Sequence, residues 1–335
     1  MKPSLYFIVV FIVVFSIAGF TGNQKKQLAV KPADLKGWID YLASDNMRGR
    51  ANGSPEMKSA ATWLSEKFKE YGLKPILTTG DYIQDYTYSS RQRTVNERNV
   101  IGIIEGTDPM LKDQYIILSA HFDHVGVRKG NDADSIYNGA DDNAAGTSTL
   151  LGIAKTIKDS GLKPGRTMVF AAFSGEESGM RGSRYFVANP PIFLKNTYAD
   201  INFEMTGHSE FLGKNNYYMT GCKVSNLDDL IGEFNKKTEY KLIDTIKIAN
   251  SLFNSSDNIA FSRMSSANGI NTGIPSGTFA TTAMADYIHS VRDEGKLFDY
   301  ENMAGLVEYF SKLIIWLSDN KTEVRFTDPS FIRLK

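Results

Sequence analysis

The residues of this chain that could do chemistry sit where apolar runs end. Tyr115-Ile116-Ile117-Leu118 leads into His121-Phe122-Asp123, and a polar loop then reaches Gly139-Ala140-Asp141-Asp142-Asn143. The run from Thr167 to Phe173 ends in Ser174-Gly175-Glu176-Glu177, and the run from Thr197 to Phe203 ends in Glu204. In an extended segment residues two apart share a side, so Asp123 can hold one ring nitrogen of His121 while the other binds a metal. Adjacent Glu176 and Glu177 diverge, so one can bind metal while the other faces a water. Imidazole and carboxylate ligands with one free carboxylate suit metal-assisted hydrolysis, in which the carboxylate takes the proton of an activated water.

Each motif also has a plainer reading. Asp-Asp before a helix often only caps it. Glu-Glu is usually a solvated pair, Glu204 alone reads as an edge residue, and His121 alone as a hydrogen-bonded core histidine. Their joint occurrence at successive strand ends is what favours a site.

The elements that must position these groups follow the order strand, acidic loop, helix. That order predicts one three-layer α/β/α domain on a central mixed, mostly parallel sheet, with ligands gathered at strand C-termini. Helices are expected over 33–42, from Pro55 to before Gly72, and over 144–157, 179–187, 227–234, 257–263 and 300–317. Strands are expected over 81–88, 99–104, 115–120, 167–173, 197–203, 217–220 and 274–279. Phe253, Phe261 and Phe279 are candidates for the walls of a substrate pocket.

Bulk properties narrow the classes. The chain has 335 residues, 38 basic and 38 acidic, and no long block of one sign, which argues against a nucleic-acid partner. One cysteine, Cys222, excludes an internal disulfide and a cysteine-rich metal cage, and four histidines oblige any metal site to lean on carboxylates. Met1-Lys2, the apolar run Leu5–Phe15 and Ser16-Ile17-Ala18 read as an export signal cleaved near Ala18, followed by a linker to residue 30 and a catalytic region over 31–335. A periplasmic or secreted protein is therefore expected. It would have no stable membrane insertion unless the signal is retained as an anchor.

Taken together, His121-Phe122-Asp123-His124-Val125-Gly126, Tyr137 to Gly146, Phe173 to Gly179 with Gly182-Ser183, Asn202-Phe203-Glu204-Met205, and His289 followed by Asp293 resemble one family. It is that of the co-catalytic zinc aminopeptidases, of the bacterial leucyl and Streptomyces type, related to glutamate carboxypeptidase II and glutaminyl cyclase. With the stretch from Leu42 to Pro75 the resemblance covers nearly all of the chain after the signal. It implies a zinc-peptidase fold and two zinc ions. Asp141 would bridge them, His121 and Glu204 would complete one set, and Glu177 and His289 the other. Glu176 would be the general base, Asp123 would orient His121, and the Asp141–Asp142 peptide would be cis. The implied substrates are peptides with a free N-terminus. Glu204 stands where the family more often has Asp, and Ile288 separates Tyr287 from His289. Tyr287 would either stabilise an oxyanion or simply pack, while His124 and His208 are expected outside the ligand shell. Alternative readings are a one-zinc glutaminyl cyclase, a zinc carboxypeptidase, and a non-catalytic binding homologue. The absence of G-x-S-x-G leaves little for a serine hydrolase.

Overall fold

The structure, a computed structural model, describes residues 29–90, 93–128, 134–245, 247–264, 272–283, 286–328 and 330. The apolar N-terminal run read as an export signal lies outside the described residues. Along the chain, α1 (Pro32–Leu42) and α2 (Pro55–Glu70) precede β1 (Ile83–Ser90) and β2 (Arg93–Ile104). Then come β3 (Tyr115–His121), the short β4 (Gly126–Val127) and β5 (Ile136–Tyr137), α3 (Gly146–Ser160), β6 (Thr167–Phe173), α4 (Arg181–Ala188) and β7 (Thr197–Phe203). The last third holds β8 (Asn216–Met219), α5 (Leu227–Asn235), β9 (Lys241–Leu242), α6 (Lys247–Leu252), α7 (Asn258–Ser262), β10 (Ser276–Ala280) and α8 (Tyr300–Asp319).

Eight strands form one mixed sheet in the order β1-β2-β6-β3-β7-β10-β8-β9. The central four, β6, β3, β7 and β10, are parallel, and antiparallel pairings flank them on both sides. Period-2 alternation divides each central strand between two cores. Ile116, Leu118 and Ala120 of β3 pack with residues of α1, α2, α3 and α8, whereas Ile117 packs with Phe186 of α4 and Phe261 of α7. Both faces are thus covered, which explains why β3, β6 and β7 read as unbroken apolar runs.

Local chemistry sets the helix ends. Ser54 accepts the Met57 N–H at the start of α2, Pro55 occupies its first turn, and Gly72 follows it at φ +77°. Asp299 accepts the Asn302 N–H to open α8, whose apolar stripe from Met303 to Leu317 lies against the sheet. The main departure from sequence pattern is β2, which begins six residues before its apolar part. Residues 93–98 pair with β1 in an antiparallel hairpin that is mostly exposed at this end, so no apolar run marks them. Helix α3 begins at Gly146 because residues 140–145 form a wider turn.

Leu118 is wholly buried at the centre of the larger core. Leu118→Ala is expected to cost about 2–5 kcal/mol, by lost burial plus the cavity left behind. A fall in the urea midpoint with unchanged slope checks this.

Candidate metal centre

Parallel pairing brings three strand ends together. His121 lies in register with Phe173, so Ser174 to Glu177 starts beside it. Ser119 lies in register with Asn202, which places Glu204 level with His121 on the other side. The turn between β5 and α3 and the loop before α8 supply the remaining groups.

Two clusters of potential ligand atoms result, each with its atoms within 4.8 Å of one another: His121, Asp142 and Glu204, and His124, Asp142, Glu177 and His289. Asp142 belongs to both. Its Oδ1 lies 3.3 Å from His121 Nε2, which is itself 3.8 Å from Glu204 Oε1. Its Oδ2 lies 3.1 Å from His289 Nε2 and 3.7 Å from His124 Nδ1. Glu177 Oε1 stands 2.8 Å from His289 Nε2 and 3.1 Å from His124 Nδ1. One carboxylate thus faces a separate donor set with each oxygen. Four of the five residues expected as ligands, His121, Glu177, Glu204 and His289, are brought together here.

The fifth, Asp141, is not. Its side chain turns away, with Oδ1 accepting the Gly207 N–H at 3.0 Å and Oδ2 accepting the Tyr287 hydroxyl at 2.8 Å. Neighbouring side chains in this irregular turn diverge, and Asp142 is the one aimed inward. The cis peptide is likewise one residue later than expected, between Asp142 and Asn143. Tyr287 is engaged with Asp141 rather than left merely to pack. His124, expected outside the ligand shell, stands in one cluster, whereas His208 stands in neither and its Nδ1 lies 3.1 Å from Glu210.

Supporting contacts fix these positions. Asp123, wholly buried, accepts the backbone N–H groups of Glu176 at 3.1 Å and Glu177 at 3.2 Å, and the Asn52 amide at 2.7 Å. Its carboxylate lies 3.6 Å from His121 Nδ1, and its backbone carbonyl is nearer still, at 3.3 Å. Asp123 therefore ties the Glu176–Glu177 turn to His121 as well as lying behind the imidazole. Asn143 brackets Glu204, donating to Phe203 O at 2.9 Å and accepting the Met205 N–H at 3.2 Å. Gly139, at φ +60°, has no room for a side chain, because a Cβ would meet Asp142 O and the His124 ring, both at 2.4 Å.

Buried imidazole nitrogens are left without hydrogen-bond partners: Nε2 of His121 and both ring nitrogens of His124. A buried polar atom without a partner is costly. A cation shared with the adjacent carboxylates would satisfy them, so the residues fit a zinc-type centre. Burial opposes ionisation of Asp142, but the neighbouring His121, His289 and His124 outweigh it and hold this carboxyl well below its usual range. Glu176 goes the other way. Burial first, then Glu204, Asp257 and Asp123, raise its carboxyl well above the usual range against the opposing charge of His121. Glu176 is in neither cluster, yet it lines the same cavity.

That cavity, of about 190 Å³, is lined by the site's carboxylates and has Tyr218, Leu252, Ala280, Ala283 and Ile288 among its other walls. None of the three phenylalanines expected there lines it. Phe279 packs on the rings of Phe203, Tyr217 and Phe310, and Phe261 on Phe173 and Phe186. Phe253 lies in a small buried cluster with Ile259. These three phenylalanines pack in the cores, and Tyr218 with aliphatic residues lines the cavity.

Comparison with known proteins bears on family and fold. Over 205 residues the chain is 29% identical to the alkaline phosphatase isozyme conversion protein of Escherichia coli, covering 58% of this chain and 56% of that protein. Over 268 residues it is 26% identical to leucine aminopeptidase 1 of Trichophyton rubrum, covering 77% and 66%. The match thus spans little more than half the length of the first relative. In fold the chain is similar to a zinc aminopeptidase from Bacillus subtilis, with TM-score 0.65, 15% identity, and 90% of this chain and 100% of that one covered. Residues 99–314 match peptidase family M28. With more than half of its length matched, the chain belongs to peptidase family M28.

Proposed function

We propose that this protein is a zinc-dependent aminopeptidase that removes the N-terminal residue from peptides, with the catalytic region over 31–335. The observation that carries the reading is Asp142, whose two oxygens each face a separate donor set while Glu176 stands free beside them. Two zinc ions would be held by His121, Asp142 and Glu204 on one side, and by Asp142, Glu177 and His289 on the other. His124 stands next to the second set. Bound zinc supplies Lewis acidity, polarising the scissile carbonyl and acidifying the attacking water.

The chain's own groups do the rest. The Glu176 carboxylate takes the proton of the attacking water and returns it to the departing amine nitrogen. Asp123 holds Glu176 and Glu177 in register through their backbone N–H groups. Asn143 keeps Glu204 against the turn that presents Asp142.

The cavity also favours an amine over a carboxylate. Asp142, Glu176, Glu177 and Glu204 line it, and no lysine or arginine does among the described residues. Apart from the zinc ions themselves the lining thus offers a C-terminal carboxylate no lysine or arginine to pair with, which favours an aminopeptidase over a carboxypeptidase. Walls of Met205, Leu252, Ala280, Ala283 and Ile288 suit an aliphatic first side chain. Cyclisation of N-terminal glutamine on one zinc is the runner-up, but it would leave one of the two donor sets without a use. Export is proposed from the N-terminal segment, with a mature protein that begins near residue 19. Among the described residues, no helix is long and apolar enough to cross a membrane.

The test is a metal-loaded assay on aminoacyl and N-blocked peptides. Cleavage confined to free N-termini is expected. Release of C-terminal residues from N-blocked peptides overturns the reading, and so does conversion of glutaminyl peptides with no free amino acid. A strong chelator is expected to remove all activity, and added zinc to restore it. Full activity in chelator, with zinc absent by elemental analysis, would refute the metal reading.

A further inference from the structure

Arg50 is 0% exposed and sits among the site's carboxylates, yet its hydrogen bonds run to backbone oxygens. Its Nε donates to Phe122 O at 2.8 Å, Nη1 to Leu42 O at 2.5 Å and Asn138 O at 2.7 Å, and Nη2 to Gly139 O at 2.9 Å. Three of those four carbonyls adjoin the site. Phe122 lies between His121 and Asp123, while Asn138 and Gly139 lead into the turn that carries Asp142.

Asp293, 1% exposed, grips the first residues of the same turn. Its Oδ1 accepts the Asp141 N–H at 2.7 Å and its Oδ2 the Asp142 N–H at 3.1 Å, while its backbone carbonyl takes the Ala140 N–H at 3.2 Å. The cation therefore holds the carbonyls that enter the turn, and the anion holds the N–H groups of its first three residues. Asp293 also follows His289 on the same loop, so this contact docks that loop onto the turn.

The chain accepts backbone strain to deliver Arg50. Arg48, Gly49 and Arg50 have φ of 44°, 64° and 45°, and left-handed conformations are unfavourable for residues other than glycine. A Cβ on Gly49 would meet Tyr137 O at 2.3 Å and Gly126 at 2.8 Å, so the segment is pressed against β4 and β5. A planar guanidinium fork can reach carbonyls on three segments at once, whereas a lysine ammonium acts from a single point.

We propose that Arg50 and Asp293 form a clamp of positioning residues that fixes Asp142 relative to His121 and so sets the zinc affinity of the centre. The proposal rests on the reading of this site as a zinc centre. Nature provides an internal control in Arg166. This second buried arginine, 3% exposed, also donates to carbonyls, those of Leu317, Ser318 and Asn320. It stands at the start of β6, at the end of the strand opposite Ser174 to Glu177.

The experiment measures zinc Kd by competition with a chromogenic chelator, alongside Tm, for the wild-type chain and for Arg50→Lys, Asp293→Asn and Arg166→Lys. Loss of a ligand's supporting partner typically weakens metal binding by roughly 10–100-fold. A weakening of that order is expected for Arg50→Lys and Asp293→Asn, with Arg166→Lys lowering Tm at wild-type Kd. If Arg50→Lys does not fold, Asp293→Asn carries the test with the same expected result. Wild-type Kd in the folded clamp variants, with only Tm reduced as in Arg166→Lys, overturns the proposal. A wild-type chain that binds no zinc refutes the zinc reading itself, and the clamp with it.

Discussion

Glu176→Gln is expected to bind zinc as the wild type does and to lose turnover by roughly 10²–10⁴-fold, the usual contribution of a general base. The substitution keeps size and hydrogen-bonding reach but removes the group that can accept a proton. One feature favours Glu176 over its neighbour as the proposed base. Glu177 Oε1 is 2.8 Å from His289 and within one cluster of ligand atoms, whereas Glu176 lies outside both clusters while lining the cavity. Asp123 also accepts the backbone N–H of each, so exchanging one side chain leaves the turn in place. Zinc content by elemental analysis and kcat on an aminoacyl anilide together check the result. Retained activity would assign the proton transfer to another group. Loss of zinc would make Glu176 a ligand.

The second large effect separates two adjacent aspartates. Asp142→Ala is expected to strip the centre of zinc and abolish activity, because the carboxylate it removes serves both clusters. The loss should exceed the roughly 10–100-fold typical when only a ligand's supporting partner is removed. Asp141→Ala removes such a partner. Its oxygens accept from Gly207 and Tyr287, so its loss loosens the loop that carries His289 but leaves both donor sets intact. Zinc titration of the two variants under one condition decides the matter. Equal loss of metal in both, or loss in Asp141→Ala alone, would contradict the geometry described for the turn.

Much of the centre was legible because parallel strands announce their ends. An apolar run that stops at His121-x-Asp123, at Glu176-Glu177 or at Glu204 predicts which residues reach the sheet edge, and register then makes them neighbours. His289 was found by its family context and not by pattern, since the loop before α8 has no periodicity. Arg50 was missed. A single arginine in a glycine-containing loop looks solvated, and only the left-handed run at 48–50 turns it inward. Asp293 entered only as a matching residue, because a carboxylate that binds backbone N–H groups leaves no trace in spacing.

What the sequence by itself determined is the layered fold and the identity of the strand ends. These follow from local rules: side-chain alternation, capping residues, and the length of apolar runs. Only the tertiary structure decided which aspartate of the pair points inward, that His124 joins His289, and that Tyr218 and aliphatic residues and not the phenylalanines line the cavity. The reason is physical. In an irregular turn the direction of a side chain is set by whatever satisfies the backbone around it. Here that is Arg50 on the carbonyls, Asp293 on the N–H groups and Tyr287 on Asp141, drawn from segments roughly 90 to 150 residues away in sequence.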